Sequence, residues 1–209
     1  MAHRTWFWNA VAKRYFRQAI ADPAAYKTKL DMTQARLRPD MRLFEFGCGT
    51  GSTALVHAPL VQHVSAIDIS PKMIDIARVQ AAQKGIANAD FHVSAIQDWP
   101  SPERAYDMVL GMSIFHLLTD RQAVLRKIYD QLADDGLFVS STSCIADIGG
   151  LVPRLLPIAT RLGLLPILRV FSAEQLVQEM QGAGFEVVET FHPAPDKAIF
   201  LICRKVALS

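Results

Sequence analysis

The chain has 209 residues, of which 51% are apolar and 20% are charged, a composition typical of one soluble globular domain with a well-developed core. Its 22 basic and 20 acidic residues leave a formal net charge of +2, too even a balance for the clustered basic surface that binds nucleic acid. The cysteines Cys48, Cys144 and Cys203 are far apart and form no CxxC pair, which indicates free thiols in a reducing compartment. The N-terminus has no secretory signal pattern, and prolines and arginines interrupt the most apolar segment, residues 151–171. We therefore expect a cytoplasmic protein without a transmembrane helix.

The chain begins with helical patterns and continues as an alternation of strands and helices. Residues 1–41 read as helices that precede the first strand, and from Arg42 onward short apolar runs alternate with longer helical patterns. The strand candidates are RLFEFG, HVSAID, DFHVS, YDMVLGM, GLFVSSTS, FEVVETF and AIFLICRK. Several of these are continuously apolar, as is typical of central strands that helices cover on both faces.

The helices between the strands carry their own start and stop signals. In ISPKMIDIARVQAAQKG, Ser70 is the expected N-cap and Gly85 lies just past the expected end. The segment TDRQAVLRKIYDQLADDG is predicted to open at Thr119 with a capping box and to close at Gly136. The segment SAEQLVQEMQGAG is predicted to open at Ser172 with the same capping-box spacing.

This order of elements predicts a doubly wound α/β sheet. The last two strands are joined by HPAPDK, which is too short for a crossover helix, so the final strand should run antiparallel to its neighbours. We expect a single domain over residues 1–209, with an N-terminal helical cap at 1–41 and a Pro- and Leu-rich helical lid at 145–171, after the fifth strand. Both additions are expected at the carboxyl edge of the sheet, where such folds bind ligands.

A glycine-rich turn, LFEFGCGTGSTAL, follows the first strand. Glycines let the backbone turn tightly and let a ligand approach the main chain, and the helix that follows points free N–H groups toward that ligand. Gly47, Gly49 and Gly51 form GxGxG, and Ser52 stands where the GxGxxG dinucleotide pattern has its third glycine. The spacing therefore disfavours a nicotinamide oxidoreductase.

Two acids accompany the turn and disfavour a bare strand–helix corner. Glu45 precedes the glycines, and Asp68 ends the next strand, in VSAIDIS. A carboxylate at a rigid strand end can accept hydrogen bonds from both ribose hydroxyls of a nucleoside. The combination indicates a nucleoside-containing ligand at this edge.

These residues resemble the class I S-adenosylmethionine-dependent methyltransferases. The first motif of that family, E/D-x-G-x-G-x-G, is matched by Glu45, Gly47, Gly49 and Gly51, and the acid that ends its second strand is matched by Asp68. The resemblance covers residues 42–204 and implies a Rossmann-like, seven-stranded sheet with an antiparallel last strand. It also implies S-adenosyl-L-methionine as the cofactor and S-adenosyl-L-homocysteine as its product.

The resemblance implies a role for each part of the cofactor site. The glycine loop contacts the methionine portion, the second acid binds the ribose, and the residues that follow it pack on the adenine. Many relatives have an acid where this chain has Ala95, which leaves adenine recognition to the backbone at Ala95 and Ile96, with help from Gln97 or Asp98. The implied cofactor-binding residues are Tyr15, Glu45, Gly47, Cys48, Gly49, Thr50, Gly51, Asp68, Ile69, Met73, Ala95, Ile96, Gln97, Gly111 and Met112.

Tyr15 and His116 each have two interpretations. Tyr15 matches a tyrosine of the family's N-terminal helix that closes over the cofactor carboxylate, but its spacing to Val11 and Ile20 also fits a core aromatic. His116, in GMSIFHLL after the fourth strand, is the candidate general base, and a packing or capping histidine is the alternative. Ser113 is a weaker candidate.

The absence of two motifs limits the classes of substrate and cofactor that we expect. No NPPY-like tetrapeptide follows the fourth strand, and near this edge only Asp147 resembles a metal ligand. We therefore expect neither a nucleic-acid substrate nor a bound metal. The first hypothesis is methyl transfer to a small apolar or aromatic molecule. The alternatives are a quinone or lipid-biosynthetic methyltransferase at the membrane surface and a non-catalytic S-adenosylmethionine-binding module.

The 145–171 insertion also has several interpretations. Arg154 and Arg161 would lie on one face of a regular helix, although Pro157 would kink or divide such a helix. The segment could roof the site with leucines, form a homodimer contact, or present a surface patch for a lipid-like or quinone-like substrate.

Overall fold

A computed structural model describes residues 2–149 and 168–207, with residues 2–4 described by their backbone alone. The chain forms two compact units, residues 1–110 and 111–209. The helices are α1 (Ala2–Arg17), α2 (Pro23–Gln34), α3 (Ser52–His57), α4 (Pro71–Gln83), α5 (Arg121–Gln131) and α6 (Ala173–Gly182). The strands are β1 (Arg42–Phe46), β2 (His63–Asp68), β3 (Ala89–Val93), β4 (Tyr106–Met112), β5 (Leu132–Thr142), β6 (Phe185–Phe191) and β7 (Ile199–Lys205).

The strands form one seven-stranded mixed sheet in the order β3-β2-β1-β4-β5-β7-β6. β1 pairs in parallel with both β2 and β4, and β2 pairs in parallel with β3. β7 runs antiparallel to β5 and β6. The predicted doubly wound sheet with an antiparallel last strand is confirmed. Its strand order reverses direction at β1 and β4, the place at which doubly wound sheets bind ligands beyond the carboxyl ends of their strands.

In the first unit, α3 packs against β2, α4 packs against β2 and β3, and α1 packs against α4. The ring of Phe44 has no exposed surface, and it stacks on Tyr106 at 5.0 Å and on Trp99 at 5.8 Å between ring centroids. α4 begins as expected, because the Ser70 hydroxyl accepts a hydrogen bond from the Met73 N–H. Gly85, with φ +64°, lies just beyond its end. Stacked rings thus pack on β1, and a capped helix follows β2 directly.

In the second unit, α5 packs against β5 and α6 packs against β6. α6 begins with the expected capping box, in which Ser172 and Gln175 exchange side chain–backbone hydrogen bonds. The expected start of α5 at Thr119 is wrong: the Asp120 carboxylate accepts from the Ala123 N–H at 2.8 Å, and a carboxylate is the stronger acceptor at a helix N-terminus. α5 also ends earlier than Gly136, because the chain becomes β5 at Leu132.

The insertion prediction falls mostly on residues that the structure does not describe. Residues 150–167, with Arg154, Pro157 and Arg161, lie outside the described ranges, so the lid, the dimer contact and the substrate patch stay predictions. The division into one domain with two additions also stays a prediction. Among the helices of residues 2–149 and 168–207, none has the length and apolar character needed to cross a bilayer.

Candidate active site

The glycine turn after β1 is built from left-handed backbone. Gly47, Gly49 and Gly51 have φ values of +64°, +53° and +81°, a region that residues with a Cβ rarely adopt. The Cys48 N–H donates to the carbonyl of Ile67 on β2 at 3.0 Å, and the Gly51 N–H donates to the Cys48 carbonyl at 2.9 Å. The turn is therefore fastened to the neighbouring strand, and α3 starts directly after it.

The three glycines do not serve one purpose. A Cβ on Gly51 would lie 2.8 Å from Phe91 Cε1 and 2.9 Å from the Ala77 Cβ, so this glycine is required by packing against β3 and α4. A Cβ on Gly49 would lie 3.8 Å from Tyr15 Cε1, an ordinary contact distance. Gly49 therefore faces the Tyr15 ring of α1, and its left-handed backbone is what requires glycine.

Asp68, at the end of β2, is hydrogen-bonded to the glycine turn. Its Oδ2 accepts from the Gly49 N–H at 3.0 Å, and its Oδ1 accepts from the Ser70 N–H at 2.8 Å. Burial raises the pKa of the Asp68 carboxyl, and the two backbone N–H groups act against that rise. A carboxylate has about four acceptor sites, so each Asp68 oxygen keeps one site beyond these two bonds. These two remaining acceptor sites match the two hydroxyl donors of a ribose.

Glu45 is the second carboxyl of the site, and it is almost completely buried, with 2% of its surface exposed. The Ala54 N–H in the first turn of α3 hydrogen-bonds to its side chain, whereas Oε2 is buried and has no partner among residues 2–149 and 168–207. Burial raises the pKa of Glu45 to about 8, and the nearby Asp68 adds to that rise. A buried acid with an unpaired oxygen beside a glycine turn favours a cationic ligand group, which would restore the ionised form.

Two tyrosines from the N-terminal helices approach these acids. Burial raises the pKa of Tyr15, and the charges of Asp68 and Glu45 raise it further. As a whole residue Tyr15 is 48% exposed, and Ile20 is 51% exposed, so the alternative of a core aromatic packed with Ile20 is wrong. Tyr26 of α2 hydrogen-bonds to Thr53, and burial raises its pKa as well. The phenol groups of Tyr15 on α1 and Tyr26 on α2 thus lie close enough to the acids for the charge of Glu45 to raise the pKa of both.

The adenine-side residues lie in the same unit and are connected to Asp68. The Ser94 N–H donates to the Asp68 carbonyl at 3.0 Å, and Ala95 then starts a short 3-10 turn, Ile96–Asp98. Ile96 is buried, as is Met73 in the first turn of α4. Ile69 is half-buried and Gln97 is exposed. Thr50 is buried.

The remaining predicted residues belong to the second unit. Gly111 is buried and Met112 is half-buried at the end of β4. Ser113 follows with φ +55° and donates its N–H to the Ser141 carbonyl at 2.7 Å. Such backbone strain is concentrated at functional sites.

His116 lies in the 3-10 turn Phe115–Leu117. Burial lowers the pKa of its imidazole, and Nδ1 is buried with no partner in the part of the chain that the structure describes. Its backbone carbonyl accepts from the Arg169 N–H at 2.8 Å. The ring is therefore kept in its neutral form, in which one nitrogen can accept a proton.

Three further residues of this neighbourhood belong to none of the motifs recognised in the sequence. Asn9 of α1 contacts the first turn of α4, Tyr26 approaches Thr53, and the Gln80 side chain donates to the Thr50 carbonyl at 2.7 Å. All three contacts join segments that are distant in sequence. Only Asn9 carried a local signal, as a weak helix former in the middle of a helical pattern.

The cysteines are free and buried, as expected. Cys48 lies in the glycine turn, where burial raises the pKa of its thiol well above the usual value and Glu45 and Asp68 add to the rise. In the ranges 2–149 and 168–207, no group of three histidine, cysteine or acidic side chains could hold a metal ion.

Comparison with known proteins shows the family. The model of the methyltransferase domain matches residues 14–190. The chain is 29% identical to a malonyl-[acyl-carrier protein] O-methyltransferase of Bacillus cereus over 138 residues, 64% of this chain and 50% of the relative. It is 29% identical to a ubiquinone biosynthesis O-methyltransferase of Xanthomonas axonopodis pv. citri over 142 residues, 63% of this chain and 59% of the relative. The matches thus span about half the length of these curated relatives.

A solved structure has the same fold. The complex of DhpI with SAH superposes with a TM-score of 0.77 at 17% identity and covers 99% of this chain and 97% of that chain. The residues of the site also fit such a cofactor, because Asp68 keeps two acceptor sites for a ribose and the unpaired Glu45 oxygen complements a cationic methionine portion. The chain therefore belongs to the methyltransferase domain family.

Proposed function

We propose that the chain transfers the methyl group of S-adenosyl-L-methionine to a small apolar or aromatic molecule. The observation that carries this proposal is the hydrogen-bonded unit of Asp68 and the Gly49 N–H, with the unpaired Glu45 oxygen beside it. This arrangement combines acceptors for a ribose with a buried acid for a cationic group. Both features are complementary to a nucleoside whose methionine portion is positively charged.

Within this proposal the residues of the first unit hold the cofactor. Asp68 accepts the ribose hydroxyls, and the backbone of the 47–51 turn contacts the methionine portion. Ile69 and Met73 pack on the adenine, whose edge meets the backbone at residues 95–97. Tyr15 covers the carboxylate end, consistent with its position over Gly49. Gly111 and Met112 complete the proposed set.

The reactive methyl group is supplied by the cofactor as a sulfonium when it is bound. The protein therefore has to orient the acceptor, exclude water and remove a proton where the acceptor has one. We assign the last task to His116, whose imidazole burial keeps neutral. Because Nδ1 is enclosed in the protein, the proton of the acceptor would be taken at Nε2.

One observation favours a second candidate, methylation of a quinone or another lipid-like acceptor at a membrane surface. Helix α1 contains no acidic residue. It exposes Trp6 (66%) and Phe16 (47%) beside the exposed cations Lys13, Arg14 and Arg17. Aromatic and basic side chains on one surface helix favour contact with anionic lipid. The relative that acts in ubiquinone biosynthesis supports the same class of acceptor.

Equilibrium binding tests the cofactor assignment. Isothermal titration should show binding of S-adenosyl-L-homocysteine and none of NAD, and the reverse result would refute the proposal. Turnover of S-adenosyl-L-methionine with a panel of phenols, quinols and carboxylic acids then separates an enzyme from a non-catalytic binding module. His116→Ala should reduce turnover and leave S-adenosyl-L-homocysteine affinity unchanged, and unchanged turnover would exclude His116 as the base.

Vesicle binding separates the two acceptor classes. Co-sedimentation with phosphatidylglycerol vesicles, but not with phosphatidylcholine vesicles, would support the membrane-surface candidate. The triple variant Lys13→Ala/Arg14→Ala/Arg17→Ala should then lose that binding, with Lys127→Ala as the control at a cation of α5. Absence of binding to both kinds of vesicle would remove the candidate.

A further inference from the structure

Asn9, in the middle of α1, is fastened to the start of α4. Its side-chain carbonyl oxygen, Oδ1, accepts from the Ser70 hydroxyl at 2.7 Å and from the Lys72 N–H at 3.3 Å. Ser70 has no exposed surface, so the shorter of these two hydrogen bonds is made by a buried hydroxyl. The predicted cofactor residues do not include Asn9.

The contact completes the capping of α4 from outside that helix. The first helical position, Pro71, has no N–H, and the Met73 N–H donates to the Ser70 Oγ at 3.2 Å. The Lys72 N–H between them has its acceptor in Asn9. Because the Ser70 hydroxyl donates its single proton to Asn9, its lone pairs are turned toward Met73. Asn9 therefore orients the N-cap side chain and also supplies an acceptor that the cap lacks.

The same N-cap residue holds the ribose acid. The Ser70 N–H donates to Asp68 Oδ1 at 2.8 Å, and Asp68 Oδ2 accepts from Gly49. A continuous series of hydrogen bonds thus leads from Asn9 through Ser70 and Asp68 to the glycine turn. Tyr15, further along α1, also lies beside that turn, at Gly49.

We propose that Asn9 is a positioning residue that couples the docking of α1 to the binding of the cofactor at Asp68. This inference rests on the proposed role of Asp68 as the ribose acceptor. By thermodynamic reciprocity, a cofactor that requires Asp68 in its present orientation stabilises docked α1, and a loosened α1 weakens cofactor binding by the same factor. Helix α1 thereby acts as a cap whose closure depends on the occupied site.

Asn9→Ala is the direct test. Alanine is the better helix former, so a loss of function in this variant cannot come from a weaker α1. We expect the affinity for S-adenosyl-L-homocysteine to fall about three- to tenfold, the range of one net hydrogen bond. Asn9→Asp keeps the acceptor oxygen, and its charge is favourable at the N-terminus of α4, so it should retain the wild-type affinity. Ala10→Gln, at the neighbouring exposed position of α1, is the matched control.

A second measurement distinguishes coupling from a general loss of stability. In the wild type, S-adenosyl-L-homocysteine should slow amide hydrogen exchange of residues 5–17, and Asn9→Ala should abolish that added protection while circular dichroism shows a folded protein. In an Asp68→Ala background, Asn9→Ala should cause no further loss of affinity. Fully additive losses would overturn the inference.

The failure of this inference is distinguishable from the failure of the proposed function. If the wild type does not bind S-adenosyl-L-homocysteine, the proposed function is wrong. If the wild type binds it and Asn9→Ala leaves both affinity and α1 protection unchanged, only the coupling through Asn9 is wrong. A loss of affinity in Asn9→Asp equal to that in Asn9→Ala would likewise overturn the role of the acceptor oxygen.

Discussion

The backbone N–H of Gly49 donates to Oδ2 of Asp68 at 3.0 Å, so the glycine turn after β1 and the acid at the end of β2 form one unit. The hydrogen bond explains why two motifs distant in sequence behave as a single site. Asp68 holds the turn with one acceptor site on Oδ2 and keeps others for a ligand.

Asp68→Ala should weaken binding of S-adenosyl-L-homocysteine by about 1.5–3 kcal/mol, the range for hydrogen bonds to a charged group. The reason is the loss of both ribose acceptors together with the loosened turn at Gly49. Isothermal titration measures the effect, and Asp75→Ala, at an exposed position of α4, is the control. Equal affinities of Asp68→Ala and the wild type would show that the ribose is bound elsewhere.

Gly51→Ala should destabilise the fold more than Gly85→Ala. Both glycines have left-handed backbone, with φ +81° and +64°, but a Cβ on Gly85 meets nothing within 4 Å, whereas one on Gly51 would lie 2.8 Å from Phe91. Gly85→Ala therefore measures the backbone strain alone, about 1–2 kcal/mol. Gly51→Ala should lose about 1–3 kcal/mol more through overpacking. Urea unfolding of the two variants tests this difference, and equal losses would contradict the packing role of Gly51.

Glu45→Gln should change the pH dependence of stability. The pKa of Glu45 is raised from 4.5 to about 8 in the folded protein, so the folded state retains a proton that the unfolded state has lost. The contribution of the neutral carboxyl is complete below pH 4.5 and is lost as the pH rises to about 8. The free energy of unfolding of the wild type should therefore fall relative to Glu45→Gln by up to about 1.4 kcal/mol per pH unit in this range.

The measurement is urea unfolding at pH 5.5, 7 and 8.5 without ligand. Glutamine keeps an oxygen for the Ala54 N–H, and Asp68 is present in both proteins, so the difference reports Glu45 alone. Glu103→Gln, at an exposed site, is the control. A difference between wild type and Glu45→Gln that stays constant with pH would mean that Glu45 is ionised in the folded state.

His57→Leu should change the pH dependence of stability in the direction opposite to that of Glu45→Gln. The imidazole of His57 has no exposed surface, and neither ring nitrogen has a partner among the described residues. Burial lowers the pKa of His57 from 6.5 to about 4. The unfolded state therefore binds the proton first, so stability present above pH 6.5 is lost as the pH falls to about 4. His57→Leu should be nearly neutral at pH 7.5 and more stable than the wild type at pH 5.

Thermal unfolding at pH 5 and 7.5 is sufficient to test the His57 prediction. His92→Leu, at an exposed position of β3, is the matched substitution. A wild type that loses no more stability than His57→Leu between these pH values would show that the ring finds a partner for its proton.

Local patterns alone predicted the strands and most helix starts. Strands such as YDMVLGM are recognisable because a buried parallel strand contains a run of apolar residues, here 108–110. Ser70 and Ser172 start helices through hydrogen bonds to residues only three positions away. The start of α5 was misplaced by one residue because Thr119 and Asp120 are both good N-caps. In the structure the Asp120 carboxylate accepts the hydrogen bond from the Ala123 N–H, so Asp120 is the N-cap.

The sequence by itself predicted the cofactor class, because the GxGxG spacing, Glu45 and Asp68 lie at strand ends that local patterns identify. The tertiary structure decided which groups act together. It brought Asn9 to the first turn of α4, left Oε2 of Glu45 without a partner among the described residues and packed Gly51 too closely against Phe91 for a side chain at that position. Contacts between residues far apart in sequence depend on how helices pack onto the sheet, and no local pattern of residues encodes that packing.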